Sequence, residues 1–180
     1  MVYFIRHGES EANKKGLFAG QRDNSELTEL GIKEAKELAQ KIKERGIIAD
    51  QIIHSPLKRA SHTAEILAKE LHLPHTRLIT DQRWEEYDMG AFTGTPIHPI
   101  TSAELTSHPE AENPNTFRTR ILEAIEDAEK RPGTTLVVSH AGVGRMLLAI
   151  RRKIDPMHFY DIQGYANGEI VQLVGYNKEK

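Results

Sequence analysis

Thr134-Thr135-Leu136-Val137-Val138-Ser139-His140-Ala141-Gly142 is the stretch on which the fold turns. Its apolar run Leu136 to Val138 does not alternate with polar residues, the pattern of a parallel strand buried on both faces, so Thr134 to Ser139 reads as a central strand. A helix from Gly142 to Arg152 follows at once. Working outward, extended apolar runs keep alternating with amphipathic helical patterns, which is an α/β signature. Val2 to Ile5 reads as a buried strand. Thr28 caps a helix from Glu29 to Arg45 whose Ile32, Ala35, Leu38, Ala39 and Ile42 share a face, and Gly46 stops it. Gln51 to His54 is a second strand. Ser55 and Pro56 then stand as N-cap and first residue of a helix reaching about Leu71, with Ala64, Leu67 and Leu71 inward. Arg77 to Thr80 reads as a short strand, Asn115 to Arg131 as a helix with Phe117, Ile121, Ala124, Ile125 and Ala128 inside, and Ile170 to Tyr176 as a last strand at a sheet edge. Two stretches lack either period. Gly8 to Glu26 is a polar loop, and Asp88 to Asn115, carrying Gly90, Gly94, Pro96, Pro99, Pro109 and Pro114, reads as a loop or lid.

Composition bounds what such a chain does. With 180 residues and 38% hydrophobic content it reads as one domain over residues 1–180, with 88–115 as a short insertion. A chain of this length buries roughly 70% of its unfolded surface, so it needs no disulfide or metal staple. The absence of cysteine excludes thiol catalysis, a disulfide framework and Cys-ligated zinc. A net charge of -2 with interspersed signs argues against nucleic acid or an anionic membrane as partner. No apolar run approaches the ~20 residues that span a bilayer, which points to a cytoplasmic protein.

Three constellations follow the C-terminal ends of predicted strands: Arg6-His7-Gly8, Arg59, and Ser139-His140-Ala141-Gly142. In a parallel sheet that edge is where ligands bind, because loops converge there and helix N-termini present free N–H groups. Arg59 in the first turn of its helix opposes the dipole preference and calls for an anionic partner, which a phosphate would supply. A neutral imidazole can attack phosphorus directly, with fixed cations neutralising the equatorial oxygens. Gly8 would allow close backbone approach to the ligand. The proton for the leaving oxygen would come from the run Trp84-Glu85-Glu86-Tyr87-Asp88, where Glu85 and Glu86 are rival candidates.

These residues resemble the histidine phosphatase superfamily, the phosphoglycerate mutase-like branch 1 family. Phe4-Ile5-Arg6-His7-Gly8-Glu9-Ser10 with Asn13 is similar to its opening motif of arginine, nucleophilic histidine and glycine, followed by a phosphate-contacting asparagine. Gly20-Gln21-Arg22-Asp23 with Leu27-Thr28-Glu29-Leu30-Gly31 resembles its second block, and Ser55-Pro56-Leu57-Lys58-Arg59-Ala60 with Thr63-Ala64-Glu65 its third, which carries the second arginine. Trp84-Glu85-Glu86 through Gly90 and Gly94 looks like the acid block, which puts the acid at Glu86; Val137 to Gly142 matches the block of the second histidine. The blocks keep the family's order over nearly the whole chain. The resemblance implies a three-layer α/β sandwich, a mostly parallel central sheet with helices on both faces.

It also implies a metal-independent phosphomonoesterase acting on a phosphorylated small molecule, with no cofactor. His7 would become phosphorylated, Arg6, Arg59, His140 and Asn13 would hold the phosphoryl oxygens, Gly8, Gly20 and Gln21 would add contacts, and Glu86 would serve as acid and then base. The remaining histidines are scattered without ligand spacing, so no metal site is expected. The competing readings are a cofactor-dependent phosphoglycerate mutase, a protein phosphohistidine phosphatase and a non-catalytic binder of phosphorylated ligands. From Asp88 to Phe117 there is no Lys or Arg, while Glu104, Glu110 and Glu112 add negative charge, which disfavours a bisphosphate and hence the mutase.

Overall fold

Five strands form one sheet: β1 (Val2–Arg6), β2 (Gln51–His54), β3 (Leu78–Thr80), β4 (Thr135–Ser139) and β5 (Ile170–Leu173), in the spatial order β3-β2-β4-β1-β5. The computed structural model describes residues 1–174 and 176. β4 is central and all five of its residues are buried. It pairs in parallel with β1 and β2, β3 pairs in parallel with β2, and β5 closes the β1 edge antiparallel. The expected last strand, Ile170 to Tyr176, ends at Leu173, and its Gly175 lies outside the described residues.

The helices are α1 (Glu11–Lys14), α2 (Glu29–Glu44), α3 (Lys58–Glu70), α4 (Ser102–Ser107), α5 (Pro114–Glu129) and α6 (Ala141–Arg151). Alternation along the strands divides them between two faces. Phe4 and Val137 pack with Phe117, Ile121 and Ile125 of α5 and with Val143 and Met146 of α6. Ile5, Leu136 and Val138 point the other way, into Leu38 and Ile42 of α2 and Ala64 and Leu67 of α3. The protein is thus a three-layer α/β sandwich. Each fully buried Ile, Leu or Phe contributes about 2 kcal/mol, more than exposed ion pairs at about 0–1 kcal/mol, so these two apolar layers are what fix the strand ends in space.

Local chemistry sets the helix bounds. Thr28 caps α2 by accepting the Gly31 N–H at 3.1 Å, and Gly31, Ala35, Leu38, Ala39 and Ile42 form its buried face. α3 begins at Lys58, later than the expected start at Ser55-Pro56, and has no side-chain cap. The reason is that Ser55 has other partners: its Oγ accepts the Leu57 N–H at 3.3 Å and meets His140 Nε2 at 2.8 Å. The stretch expected as a plain loop from Gly8 to Glu26 contains α1, one turn closed by a reciprocal capping box in which Ser10 and Asn13 each bind the other's backbone N–H. Four residues are too few to show a period.

The segment expected as a lid is also structured and tied down. It contains a 3₁₀ turn (Gly90–Phe92) and α4, with Thr101 and Glu104 as capping box. Phe18 N–H donates to Thr95 O at 2.9 Å, Gly94 N–H to Phe18 O at 2.7 Å, and Ile97 N–H to Gly16 O at 2.7 Å. Ser102 and Asp161 exchange two further bonds. Among the described residues no helix is long and apolar enough to cross a membrane.

The strand register builds the site. Arg6 lies opposite Ser139 and His54 opposite Val138, so His7, His140 and Ser55, each one residue beyond its strand, come out side by side at one sheet edge.

Candidate active site

His7 is 3% exposed and fixed at both ring nitrogens. Nδ1 lies 2.6 Å from the Gly8 carbonyl, which can only accept, so Nδ1 carries the proton and Nε2 the lone pair. Arg59 Nε donates to that lone pair at 3.2 Å. Burial, then the nearby Arg59 and Arg6 charges, push the imidazole well below the ordinary histidine range. It is therefore neutral near pH 7, the state a nucleophile needs.

Arg59 is 1% exposed, and its guanidinium is held by the Asp23 carbonyl at 2.7 Å and the Gly20 carbonyl at 2.8 Å, with the Asp23 carboxylate 3.7 Å away. Arg6 donates from Nη1 to the Tyr165 carbonyl at 2.8 Å, and its Nε is buried without a partner among the described residues. Burial lowers both guanidinium values, but arginine stays charged. Two desolvated cations thus flank one neutral imidazole, and Arg6 keeps an unsatisfied donor.

His140 is fully buried, its ring 5.1 Å from that of His7 in an edge arrangement. Ser55 Oγ accepts the Leu57 N–H and also meets His140 Nε2 at 2.8 Å, which fixes that side of the ring. Nδ1 has no partner. Burial first, then Arg59, His7, Arg120 and Arg6, hold this imidazole well below its usual range.

A cavity of about 200 Å³ opens in front of His7, lined among others by Arg6, Asn13, Gly20, Arg59 and Glu86. Asn13 uses its side-chain oxygen on the Ser10 N–H. Glu86 accepts from the Gly142 N–H at 3.0 Å and the Tyr87 N–H at 2.8 Å. A Cβ on residue 142 would overlap the Glu86 carboxylate, so glycine is what lets the acid reach the start of α6. Glu85, its rival, is absent from the cavity wall and accepts from Gln21 Nε2 at 2.6 Å.

Two residues expected to contact the ligand lie off the cavity wall. Gln21 does not line the cavity, because its amide is held by Glu85. Gly8 does not face the ligand space either. A Cβ there would overlap the Gly31 carbonyl, so this glycine serves a backbone-to-backbone contact with the start of α2, while its N–H donates to Thr63 at 3.2 Å. His140 sits behind His7 and not on the cavity wall. The acidic groups of the lid do not face the ligand space: Glu110 pairs with Arg22, Glu112 with Arg120, and Glu104 caps α4.

Three residues escaped sequence reasoning. Arg145 and Tyr160 line the cavity, with the Arg145 guanidinium 4.3 Å above the Tyr160 ring and donating to the Tyr160 carbonyl. Arg120 of α5 donates to the Arg83, Glu85 and Glu86 carbonyls at 2.7, 2.8 and 3.1 Å and holds the backbone that carries the acid. Arg145 lies three residues beyond Gly142 on the same face of a predicted helix, a spacing that could have flagged it; nothing local marks Arg120 or Tyr160. Among the described residues no group of three or more His, Asp or Glu is placed to hold a metal ion.

A family model described as the histidine phosphatase superfamily (branch 1) matches residues 2–180. A 2,3-bisphosphoglycerate-dependent phosphoglycerate mutase of Thermoplasma acidophilum is 33% identical over 149 residues, 78% of this chain and 70% of that protein. Further relatives of that name align over 52% of this chain, which spans only 45% of their length. Among solved structures, YhfR of Bacillus stearothermophilus superposes with a TM-score of 0.78 at 25% identity, covering 97% of this chain and 91% of that one. A mycobacterial glucosyl-3-phosphoglycerate phosphatase shares the fold, with a TM-score of 0.74 at 20% identity over 94% of this chain and 88% of its own. Similar proteins thus include both phosphatases and mutases. With the family model running the length of the chain and a relative at 33% identity aligned over most of it, the chain belongs to the histidine phosphatase superfamily, branch 1.

Proposed function

We propose that this chain hydrolyses the phosphomonoester of a small molecule, without a metal ion, through a phosphohistidine at His7. The observation that carries the reading is the neutral, buried His7 imidazole whose unprotonated Nε2 accepts from Arg59, at a cavity also lined by Arg6 and the Glu86 side chain. In the first step Nε2 bonds to phosphorus while the bond to the leaving oxygen breaks, and Glu86 gives its proton to that oxygen. Arg6, Arg59 and Asn13 neutralise the equatorial oxygens, as fixed donors do in a water-poor site, with the His140 ring packed edge-on against that of His7. In the second step Glu86 takes a proton from water, the hydroxide bonds to phosphorus and the P–N bond breaks, which restores His7.

The second reading, mutase activity, is favoured by the names of the curated relatives. Against it stands a segment from Asp88 to Phe117 with no Lys or Arg to hold a bisphosphate. Incubation with 3-phosphoglycerate followed by phosphorus NMR separates the two. The proposal expects inorganic phosphate to appear without added 2,3-bisphosphoglycerate. Accumulation of 2-phosphoglycerate without inorganic phosphate would overturn it.

A further inference from the structure

β1 ends at Arg6, so His7 stands one residue past the sheet, where the ladder holds only one side of its backbone. Its N–H still donates to the Ser139 carbonyl of β4 at 3.0 Å. Its carbonyl lies beyond the pairing with β5, which runs no further than Ile5 opposite Ile170. A side chain takes over there: Asn167 Nδ2 donates to the His7 carbonyl at 2.9 Å. A buried carbonyl left without a donor is costly, so this bond replaces a ladder bond that the sheet does not provide.

The amide is aimed by a closed turn. Ala166 N–H donates to the Glu169 carboxylate at 2.8 Å and Glu169 N–H to the Ala166 carbonyl at 3.2 Å, with Gly168 at a φ of +64° between them. The same turn grips the main chain of Arg6: Gly168 N–H donates to the Arg6 carbonyl at 3.1 Å, and the Arg6 N–H to the Glu169 carbonyl at 3.3 Å. The other end of the His7–Gly8 peptide is held by Thr63, a fully buried residue of α3 whose hydroxyl accepts the Gly8 N–H at 3.2 Å and donates to the Arg59 carbonyl at 2.7 Å. One peptide unit is thus fixed at its oxygen by Asn167 and at its nitrogen by a residue that ties it to Arg59. The next carbonyl along, that of Gly8, receives the His7 Nδ1 proton. The setting of this peptide therefore governs where Nε2 points.

We infer that Asn167 is a positioning residue for the nucleophile: its amide holds the His7 carbonyl so that Nε2 stays in line with phosphorus. The inference rests on the proposed attack by His7 and deepens it. Asn167 does not line the cavity and so touches no substrate. Its loss should leave the cations of Arg6 and Arg59 in place while the imidazole shifts.

Equilibrium binding of two inorganic anions tests this without turnover. Vanadate accepts a fifth ligand and binds best when Nε2 is in line, as a transition-state analogue does, whereas inorganic phosphate stays tetrahedral and reports the cations alone. By calorimetry the wild-type protein should bind vanadate more tightly than phosphate. Asn167→Ala should weaken vanadate about tenfold, the scale of one hydrogen bond, and change phosphate by less than about twofold. Asn167→Gln, which keeps the amide on a longer stem, should retain part of the preference. A wild-type preference that Asn167→Ala keeps in full would overturn the inference alone, as would an equal loss on both anions, the result of a purely structural role. Should Asn167→Ala not fold, Asn167→Leu fills the same space without a donor and carries the same expectations; failure of both to fold would assign Asn167 to stability and overturn the inference as well. Equal affinities for vanadate and phosphate in the wild type would strike at His7 as the attacking atom, and so at the phosphohistidine reading itself and the inference with it.

Discussion

Glu86 and Gly142 show how much of the site depends on single atoms. The carboxylate is aimed by two backbone N–H groups, and one of them is reachable only because residue 142 has no side chain. General acid catalysis matters in proportion to how poor the leaving group is. Glu86→Gln should therefore slow hydrolysis of alkyl phosphates by roughly 10² to 10⁴ and spare an aryl phosphate whose leaving oxygen needs no proton. Gly142→Ala should show the same leaving-group dependence in weaker form, since its methyl displaces the flexible end of Glu86 and no backbone. Measuring kcat/KM across a series of leaving groups checks both. Equal losses over the whole series would mean that Glu86 holds the site together without transferring a proton, and a larger loss in Glu85→Gln would move the role to its neighbour.

Strands β1 and β4 carry the two histidines to the same edge and bury them between the apolar layers, which makes their protonation a property of folding. In the folded protein both imidazoles lie well below their usual value, chiefly through burial, with Arg59 the next cause for each. The unfolded chain takes up protons near pH 6.5 while the folded one does not. Stability from these groups is thus fully present above pH 6.5 and is lost as pH falls, by up to about 1.4 kcal/mol per pH unit for each histidine. Urea midpoints measured from pH 7.5 to pH 5.5 should fall steadily across the lower half of that range. A flat profile would show that both imidazoles accept a proton without unfolding. The strands that enforce this were plain in the sequence, because runs such as Leu136 to Val138 can only be buried. The start of α3 was not, because Ser55 looks like a helix cap until its hydroxyl is seen against His140.

Taken as a whole, the molecule assembles its site from segments spread along nearly its entire length: the ends of β1 and β4, the loop at Gly20, the first turn of α3, the 82–87 stretch and α6. What was legible beforehand was whatever one segment could carry alone: a strand followed by Arg6-His7-Gly8, an arginine misplaced at a helix start, a carboxylate pair beside Trp84. What was not legible depends on pairs of segments. Gln21 looks free until Glu85 arrives beside it, and Gly8 looks ligand-facing until α2 packs its backbone against it. Arg145 becomes a site residue only when Tyr160 is folded beneath it, and the lid glutamates become harmless only once Arg22 and Arg120 take them.

The central claim, that His7 Nε2 is the atom that bonds to phosphorus, is tested most directly by trapping the intermediate. Enzyme turning over a phosphomonoester is quenched in alkali, where phosphohistidine survives, then digested and read by mass spectrometry beside a His7→Ala control. The account predicts an acid-labile phosphoryl group on the peptide containing His7, and a control that carries no such group and has lost turnover. A phosphoryl group on another residue, or substantial phosphate release by His7→Ala, would contradict it.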